Sequence, residues 1–321
     1  MIFISEALSA AAVTRSLAFD AVRRALIAAI APEATSFPVV LGHASNPQNR
    51  FTIKSAAGAT LAGLKVGSYF PTNDAAGLPR HNSIILLFDQ SQGRIGAIVE
   101  GGKLNGYRTA AADAVATDAL ARTEAEVLAL FGTGHQAEFE VLALAEIRCL
   151  TRVMVVGRSP ERTAAFVEGL RAKGLPAEAA EAEAAVRSAD IIVTATTATQ
   201  PLFQADWVRP GTHISSMGSD ATGKQELPPD LFPRARLFCD LPEQSVRIGE
   251  FQHADRAQSL TAIGAVLERH MPGRQSAEEI TVFDSSGISL QDLYMAEAII
   301  AATKTTRDPA SQTLSGMVAH E

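Results

Sequence analysis

The chain has 321 residues, 47% hydrophobic and 20% charged, the profile of an ordinary globular protein with room for two medium domains. A net charge of −7 and an aromatic content of 6% argue against a nucleic-acid partner, which needs a basic face and stacking platforms, and favour a small-molecule ligand. Cys149 and Cys239 lack CxxC spacing, so neither a disulfide framework nor a metal site is expected, and a cytoplasmic protein fits.

The first 32 residues carry acids at Glu6 and Asp20 and no basic leader, unlike a signal peptide. No run reaches the roughly 18 uninterrupted apolar residues of a membrane span, so no membrane partner is expected. "LSAAAVTRSLAFDAVRRALIAAIA" repeats apolar residues at helical spacing and predicts one amphipathic helix. From 37 to 99 the pattern switches to "FPVVLG", "FTIKSA", "AGLKVGSYF", "NSIILLFD" and "IGAIVE", separated by short turns. Such spacing predicts a mostly antiparallel sheet.

After the Ala-rich helix "RTAAADAVATDALA", strands alternate with helices. "EVLALFG", "RVMVVG", "DIIVTATT", "THISSMGS", "RLFCDL" and "ITVFD" are the strands, interleaved with "HQAEFEVLALAEIR", "PERTAAFVEGLRAKG", "AEAAVRSA" and "EQSVRIGEFQ". This alternation predicts an α/β fold, a Rossmann-type doubly wound parallel sheet. The apolar helix "SLQDLYMAEAIIAATKT" returns to the first region, giving a second α+β domain.

"VLALFGTGHQA" places Gly132-x-Gly134-x-x-Ala137 between a strand and a helix, where backbone N–H groups hold a pyrophosphate. About 20 residues on, the carboxylate that usually takes the ribose 2′-hydroxyl is missing, and Gly157-Arg158-Ser159 stands there instead. Arg158 suits a 2′-phosphate or a stacked adenine, leaving NAD and NADP both open. Arg108 and Thr109, at the mouth of the helix linking the two regions, suit capture of a substrate carboxylate or an interdomain ion pair. Lys65 and Lys54 interrupt apolar strands, where an amine needs a partner or a task. "ISSMGSDATGKQEL" puts Ser215, Ser216, Ser219, Asp220 and Lys224 at the carboxyl edge of the parallel sheet, where ligands of such folds bind. No HxxxH pair or GxSxG elbow appears.

Five ordered blocks, "LKVGSYFP", "SIILLFDQSQGRIGAIVEGGKLNGYRTAAADAVA", "FGTGHQA", "THISSMGSDATGKQEL" and "TVFDSSGISLQDL", resemble the ornithine cyclodeaminase/mu-crystallin family. The resemblance implies an NAD(P)-binding domain over 113–300, with 1–112 and 301–321 forming a substrate-binding and homodimerisation domain. It implies that Lys65 and Arg108 take the substrate carboxylate, that Lys65 and Asp220 are catalytic, and that Asp220 lies near the substrate amine. Lys54, ahead of Arg50 and His81, is the remaining substrate candidate. The implied cofactor residues are Ser83, Arg108, Thr109, Gly132, Gly134, His135, Gln136, Gly157, Arg158, Ser159, Thr196, Thr197, Ser216, Met217, Gly218, Lys224, Ser285 and Ser286.

Two departures bear on substrate. Phe37-Pro38-Val39-Val40 lacks the arginine of the family's Gln-Pro-x-Arg, and Ile53-Lys54 stands where a Met-Pro is usual. Losing one cation and gaining another predicts a different acid, with Lys54 meeting a second carboxylate. "MGSDATGKQEL", "QSVRIGEFQHA" and "SSGISLQDL" look most like the branch that reduces iminosuccinate to L-aspartate. The alternatives are ornithine or lysine cyclodeamination, alanine dehydrogenation, cyclic ketimine reduction, or nucleotide-dependent binding without turnover.

Overall fold

The structure, a computed structural model, describes residues 1–305; the stretch 306–321, assigned above to the first domain, lies outside the described residues. The chain divides into two compact units, Met1–Arg108 with Ser289 onward, and Thr109–Ile288. The boundaries read from the sequence were 112/113 and 300/301. Both divisions fall at helices, one inside and one at the start, where sequence pattern carries no punctuation.

The first unit begins with β1 (Ile2–Ile4), α1 (Glu6–Ala12) and α2 (Arg15–Ala28). The single N-terminal helix expected from periodicity is therefore two. Val13 is extended, and Thr14 caps α2 by accepting a hydrogen bond from Leu17 N at 3.1 Å. There follow β2 (Thr35–Ser36), β3 (Val40–His43), β4 (Arg50–Ala57), β5 (Ala62–Tyr69), β6 (His81–Asp89), β7 (Arg94–Glu100) and α3 (Leu104–Leu120). The sheet runs β1-β7-β6-β5-β4-β2, with β3 also on β4, and every pair is antiparallel except β1 with β7.

Its register separates two faces. Lys54, Lys65, Ile85 and Val99 form one cross-strand row, while Val40, Ile53, Val66 and Ile84 form the next. Because side chains alternate along a strand, the rows point opposite ways. Ile85 and Val99 are buried, whereas Val40, Val66 and Ile84 are exposed.

The second unit contains β8 (Val127–Phe131), α4 (His135–Ile147), β9 (Arg152–Val156), α5 (Pro160–Arg171), β10 (Ala177–Ala179), α6 (Ala182–Ser188), β11 (Ile191–Thr194) and β12 (His213–Ser216). It closes with β13 (Ala235–Cys239), α7 (Pro242–Ile248), β14 (Leu260–Ala262), α8 (Ile263–Leu267) and β15 (Ile280–Asp284). All eight strands are parallel, in the order β10-β9-β8-β11-β12-β15-β13-β14. β11, β12 and β15 are buried at every position, which is why β11 reads as an unbroken apolar run rather than an alternation. Phe232, Phe238, Phe251 and Phe283 are fully buried, each worth about 1.5–3 kcal/mol of apolar transfer. The edge strands β10 and β14 escape the sequence reading because each has three residues and is formed by pairing, with β9 and β13 respectively. The helix expected over "EQSVRIGEFQ" ends at Ile248, and a 3-10 turn follows from Glu250 to His253.

The last helix, α9 (Ser289–Thr305), belongs to the first unit and packs on β4, β5, β6, α1 and α2. Among the described residues no helix is long and apolar enough to cross a membrane.

Candidate active site

In the first unit a set of charged side chains converges on α9. Lys54 and Lys65 are direct partners across β4 and β5, so two ammonium groups leave the same face, an arrangement that costs stability unless an anion is near. Asp292, in the first turn of α9, supplies it: Lys65 Nζ donates to Asp292 Oδ1 at 2.8 Å. Arg108 Nε lies 3.4 Å from the same oxygen, and Arg108 Nη1 donates to Gln291 Oε1 at 3.3 Å. Lys65 Nζ also donates to Asn105 Oδ1 at 3.3 Å, and Asn105 Nδ2 in turn donates to Ser83 Oγ at 3.1 Å. The side chains of Lys65, Arg108 and Asp292 are 6%, 14% and 3% exposed, so water screens them little. Burial draws the Lys65 amine down to about 8, with Arg108 and Lys54 adding to the shift and Asp292 opposing it. Burial opposes ionisation of Asp292 too, yet Lys65, Arg108 and Lys54 together hold its carboxyl below the usual value. Arg108 Nε and Asp292 Oδ2 are buried and make no hydrogen bond among the described residues, so the cluster has capacity for a further polar ligand.

The second unit builds with backbone. Val156, Phe131, Thr194, Ser216 and Asp284 lie in one register row across five strands, and each is the last residue of its strand. The loops that begin at Gly132, Gly157, Ala195, Met217 and Ser285 therefore leave one edge of the sheet. The chain runs β8, β9, β10 to one side and resumes at β11 on the other, so the Gly132 turn sits at the switch point where ligands of such sheets bind. Gly132 has φ +119°, and a Cβ there would sit 2.6 Å from Ala195 O. At Gly157 a Cβ would collide with Thr163 Oγ1 and lie 2.8 Å from Thr133 Cγ2. Beside Gly134, the N-cap of α4, a Cβ would meet nothing within 4 Å, and no side chain caps the helix. The two glycine-tight turns and the open, uncapped helix start fit a dinucleotide's phosphates.

Buried carboxylates brace these loops. Glu226 accepts from Thr194 Oγ1 at 2.8 Å, from Thr196 N and Oγ1 at 2.7 Å each, from Ser216 Oγ at 3.1 Å and from Gly218 N at 2.8 Å. Glu250 takes the backbone N–H of Glu226 and of Leu227, and Glu250 N donates to Asp284 Oδ1 at 3.0 Å. Asp240 accepts from Ser285 Oγ at 3.0 Å and Gly287 N at 2.8 Å. Burial pushes Glu250 up to about 7 and Asp284 well above the carboxylate range. Neither Glu226 nor Glu250 is singled out from sequence; a glutamate inside "KQEL", followed by the apolar Leu227-Pro228-Pro229, is the signal that marks the first.

Among the sequence candidates, the structure brings Lys54, Lys65, Arg108 and Ser83 into one interacting set in the first unit. His81, itself exposed, starts β6 on the same face as Lys65 but at the strand end, its ring 4.7 Å from that of Tyr69, and Ile85 rather than His81 stands opposite Lys65. In the second unit Thr196, Ser216 and Gly218 meet at Glu226, Met217 is buried, and Lys224 Nζ donates to Gly218 O at 3.0 Å. Asp220 is 57% exposed and ion-paired with Lys224. The carboxylate set directly on Lys65 is Asp292, which sequence reasoning missed although it interrupts an apolar helix just as Lys65 interrupts an apolar strand. Thr109 follows Arg108 on α3, and Gln136 Nε2 donates to Glu140 Oε1 at 2.7 Å one turn along α4. Exposed His135 packs its ring edge-on to Phe139 at 4.8 Å. Arg158 and Thr197 are exposed, Ser159 caps α5, Ser285 is tied to Asp240, and Ser286 Oγ accepts from Gln244 Nε2 at 2.9 Å.

Comparison with known proteins places this geometry. A relative is the iminosuccinate reductase of Paracoccus denitrificans (strain Pd 1222), 38% identical over 311 residues, which span 95% of this chain and 97% of that one. The crystal structure of the iminosuccinate reductase of Paracoccus denitrificans in complex with NAD+ superposes with a TM-score of 0.90 at 37% identity, covering 95% of this chain and 97% of that one. An archaeal alanine dehydrogenase dimer with bound NAD gives 0.88 at 28% identity, covering 96% and 97%. The family model for ornithine cyclodeaminase/mu-crystallin matches residues 6–306. The chain belongs to the ornithine cyclodeaminase/mu-crystallin family.

Proposed function

We propose that the protein is an NAD(P)H-dependent oxidoreductase of small 2-imino acids and that its substrate is iminosuccinate, reduced to L-aspartate. The observation that carries this reading is the net cationic cluster of Lys54, Lys65, Arg108 and Asp292. A dicarboxylate would complete it, with Arg108 and Lys65 on the carboxylate next to the C=N carbon and Lys54 on the distal one. Arg50 and His81 are weaker candidates for the distal group, since both flank Tyr69 at the exposed strand ends. Similarity to the Paracoccus denitrificans iminosuccinate reductase supports the same substrate.

We assign the unit Thr109–Ile288 to the cofactor. Gly132, Gly134, His135 and Gln136 would hold the pyrophosphate, and Gly157, Arg158 and Ser159 the adenine ribose. Thr196, Thr197, Ser216, Met217, Gly218, Lys224, Ser285 and Ser286 form the nicotinamide side, with Ser83, Arg108 and Thr109 completing the set. The solved relatives with bound NAD support NAD, and Arg158 in place of a ribose carboxylate accommodates NADP as well. When bound, the reduced nicotinamide supplies the hydride. The chain's own residues orient the imine and handle its proton: Lys65, charged at neutral pH and titrating near 8, is the donor to the imine nitrogen, and Asp220 is the second proton-handling group.

The other unit serves substrate binding and dimerisation. Its exposed apolar row, with Val40 51%, Val66 37% and Ile84 39% exposed, supports a homodimer, the state in which the archaeal alanine dehydrogenase was solved. The free thiols of Cys149 and Cys239 fit a cytoplasmic enzyme. A spectrophotometric screen of 2-oxo acids with ammonia against NADH and NADPH tests the function. Oxidation should be fastest with oxaloacetate plus ammonia. No oxidation with any acid, despite cofactor binding, would make it a binding protein.

A further inference from the structure

We propose that Asp292 is the positioning residue of this site: it holds the Lys65 ammonium in place and keeps it protonated for transfer to the substrate nitrogen. The inference rests on the reading of Lys65 as the proton donor. Its geometry is independent of that reading. Asp292 Oδ1 receives Lys65 Nζ at 2.8 Å and lies 3.4 Å from Arg108 Nε, so one carboxylate oxygen fixes two cations that come from a strand and from a different helix. The pair Lys65–Asp292 is almost completely buried, where water screens a charge–charge contact much less than at the surface.

The groups facing Lys65 set the sign of the effect. Lys54 on β4 and Arg108 on α3 are cations that repel its proton, Asp292 on α9 is the anion that retains it, and β6 contributes Ser83 and Ile85, neither of which titrates. Burial, helped by two cations, draws the Lys65 amine down to about 8, and the Asp292 carboxylate resists that fall. Without that charge the Lys65 amine would fall further and give up its proton more readily. A buried lysine between two cations is otherwise a poor acid store, and Asp292 makes it a usable one.

The chain has six lysines, so [ε-13C]lysine labelling gives few NMR signals, and loss of one in Lys65→Arg assigns Lys65. In the wild type the Lys65 signal should titrate near 8. In Asp292→Asn the midpoint should fall by about one pH unit or more, and in Asp292→Glu it should stay near the wild-type value. A midpoint unchanged or raised in Asp292→Asn overturns the proposal. The alkaline limb of kcat/KM for imine reduction should move down by the same amount; an NMR shift without movement of that limb also overturns it. If Asp292→Asn does not fold, Asp292→Ser removes the same charge and is read the same way. If the wild type reduces no imine, the functional reading fails, and the NMR midpoint still decides whether Asp292 sets the charge of Lys65.

Discussion

The unit built on the antiparallel sheet holds its candidate site with side chains, whereas the unit built on the parallel sheet holds its site with backbone. In the first, Lys54 and Lys65 come together through strand register, and Arg108 and Asp292 arrive from two helices. In the second, five strands end in one row, and what matters at Gly132 and Gly157 is that no Cβ is present. The difference suits the two tasks proposed for the units. A backbone cradle recognises the phosphates that every dinucleotide shares, while a side-chain cluster is specific to the acid it faces and can be retuned by one substitution.

If that division is right, changes in the two units separate chemistry from cofactor binding. The largest effect is expected for Lys65→Met, which should lower kcat/KM for imine reduction by about 10³-fold, the scale of losing a general acid, while NADH affinity measured by fluorescence stays unchanged. Gly132→Ala should do the reverse. It forces a Cβ against Ala195 O at a left-handed φ, a strain of about 1–3 kcal/mol, so thermal stability and NADH affinity both fall. A pH profile reports the first unit alone. Lys65 is charged below its pKa, so kcat/KM should be flat near neutrality and fall about tenfold per unit above pH 8. The smallest effect belongs to exposed Arg158: Arg158→Ala should change the NADPH-to-NADH preference by about fivefold at most, as an exposed ion pair would.

The same division explains what was legible in the sequence. The parallel strands, the glycine turn and its helix are contiguous in the chain, so their pattern announces them, and the α/β fold follows from their alternation. The antiparallel strands were legible for the same reason. Lys65 stood out because an amine in an apolar strand needs a partner, but the partner lies 227 residues away on α9. No spacing rule connects Lys65 with Asp292, and only packing of α9 on β5 does. Glu226 was hidden likewise, since its five donors come from loops after two different strands and from the strand ends themselves. The break between α1 and α2 was invisible because the apolar period continues across Val13 while the backbone does not.

On the proposed reading the side-chain cluster, through Lys54, selects a dicarboxylic imino acid. The direct test compares kcat/KM with oxaloacetate plus ammonia against pyruvate plus ammonia, for the wild type and Lys54→Ala. The wild type should prefer oxaloacetate, and the variant should lose about 10–100-fold on oxaloacetate while keeping its rate on pyruvate. An equal loss on both acids, or no loss on either, would contradict it.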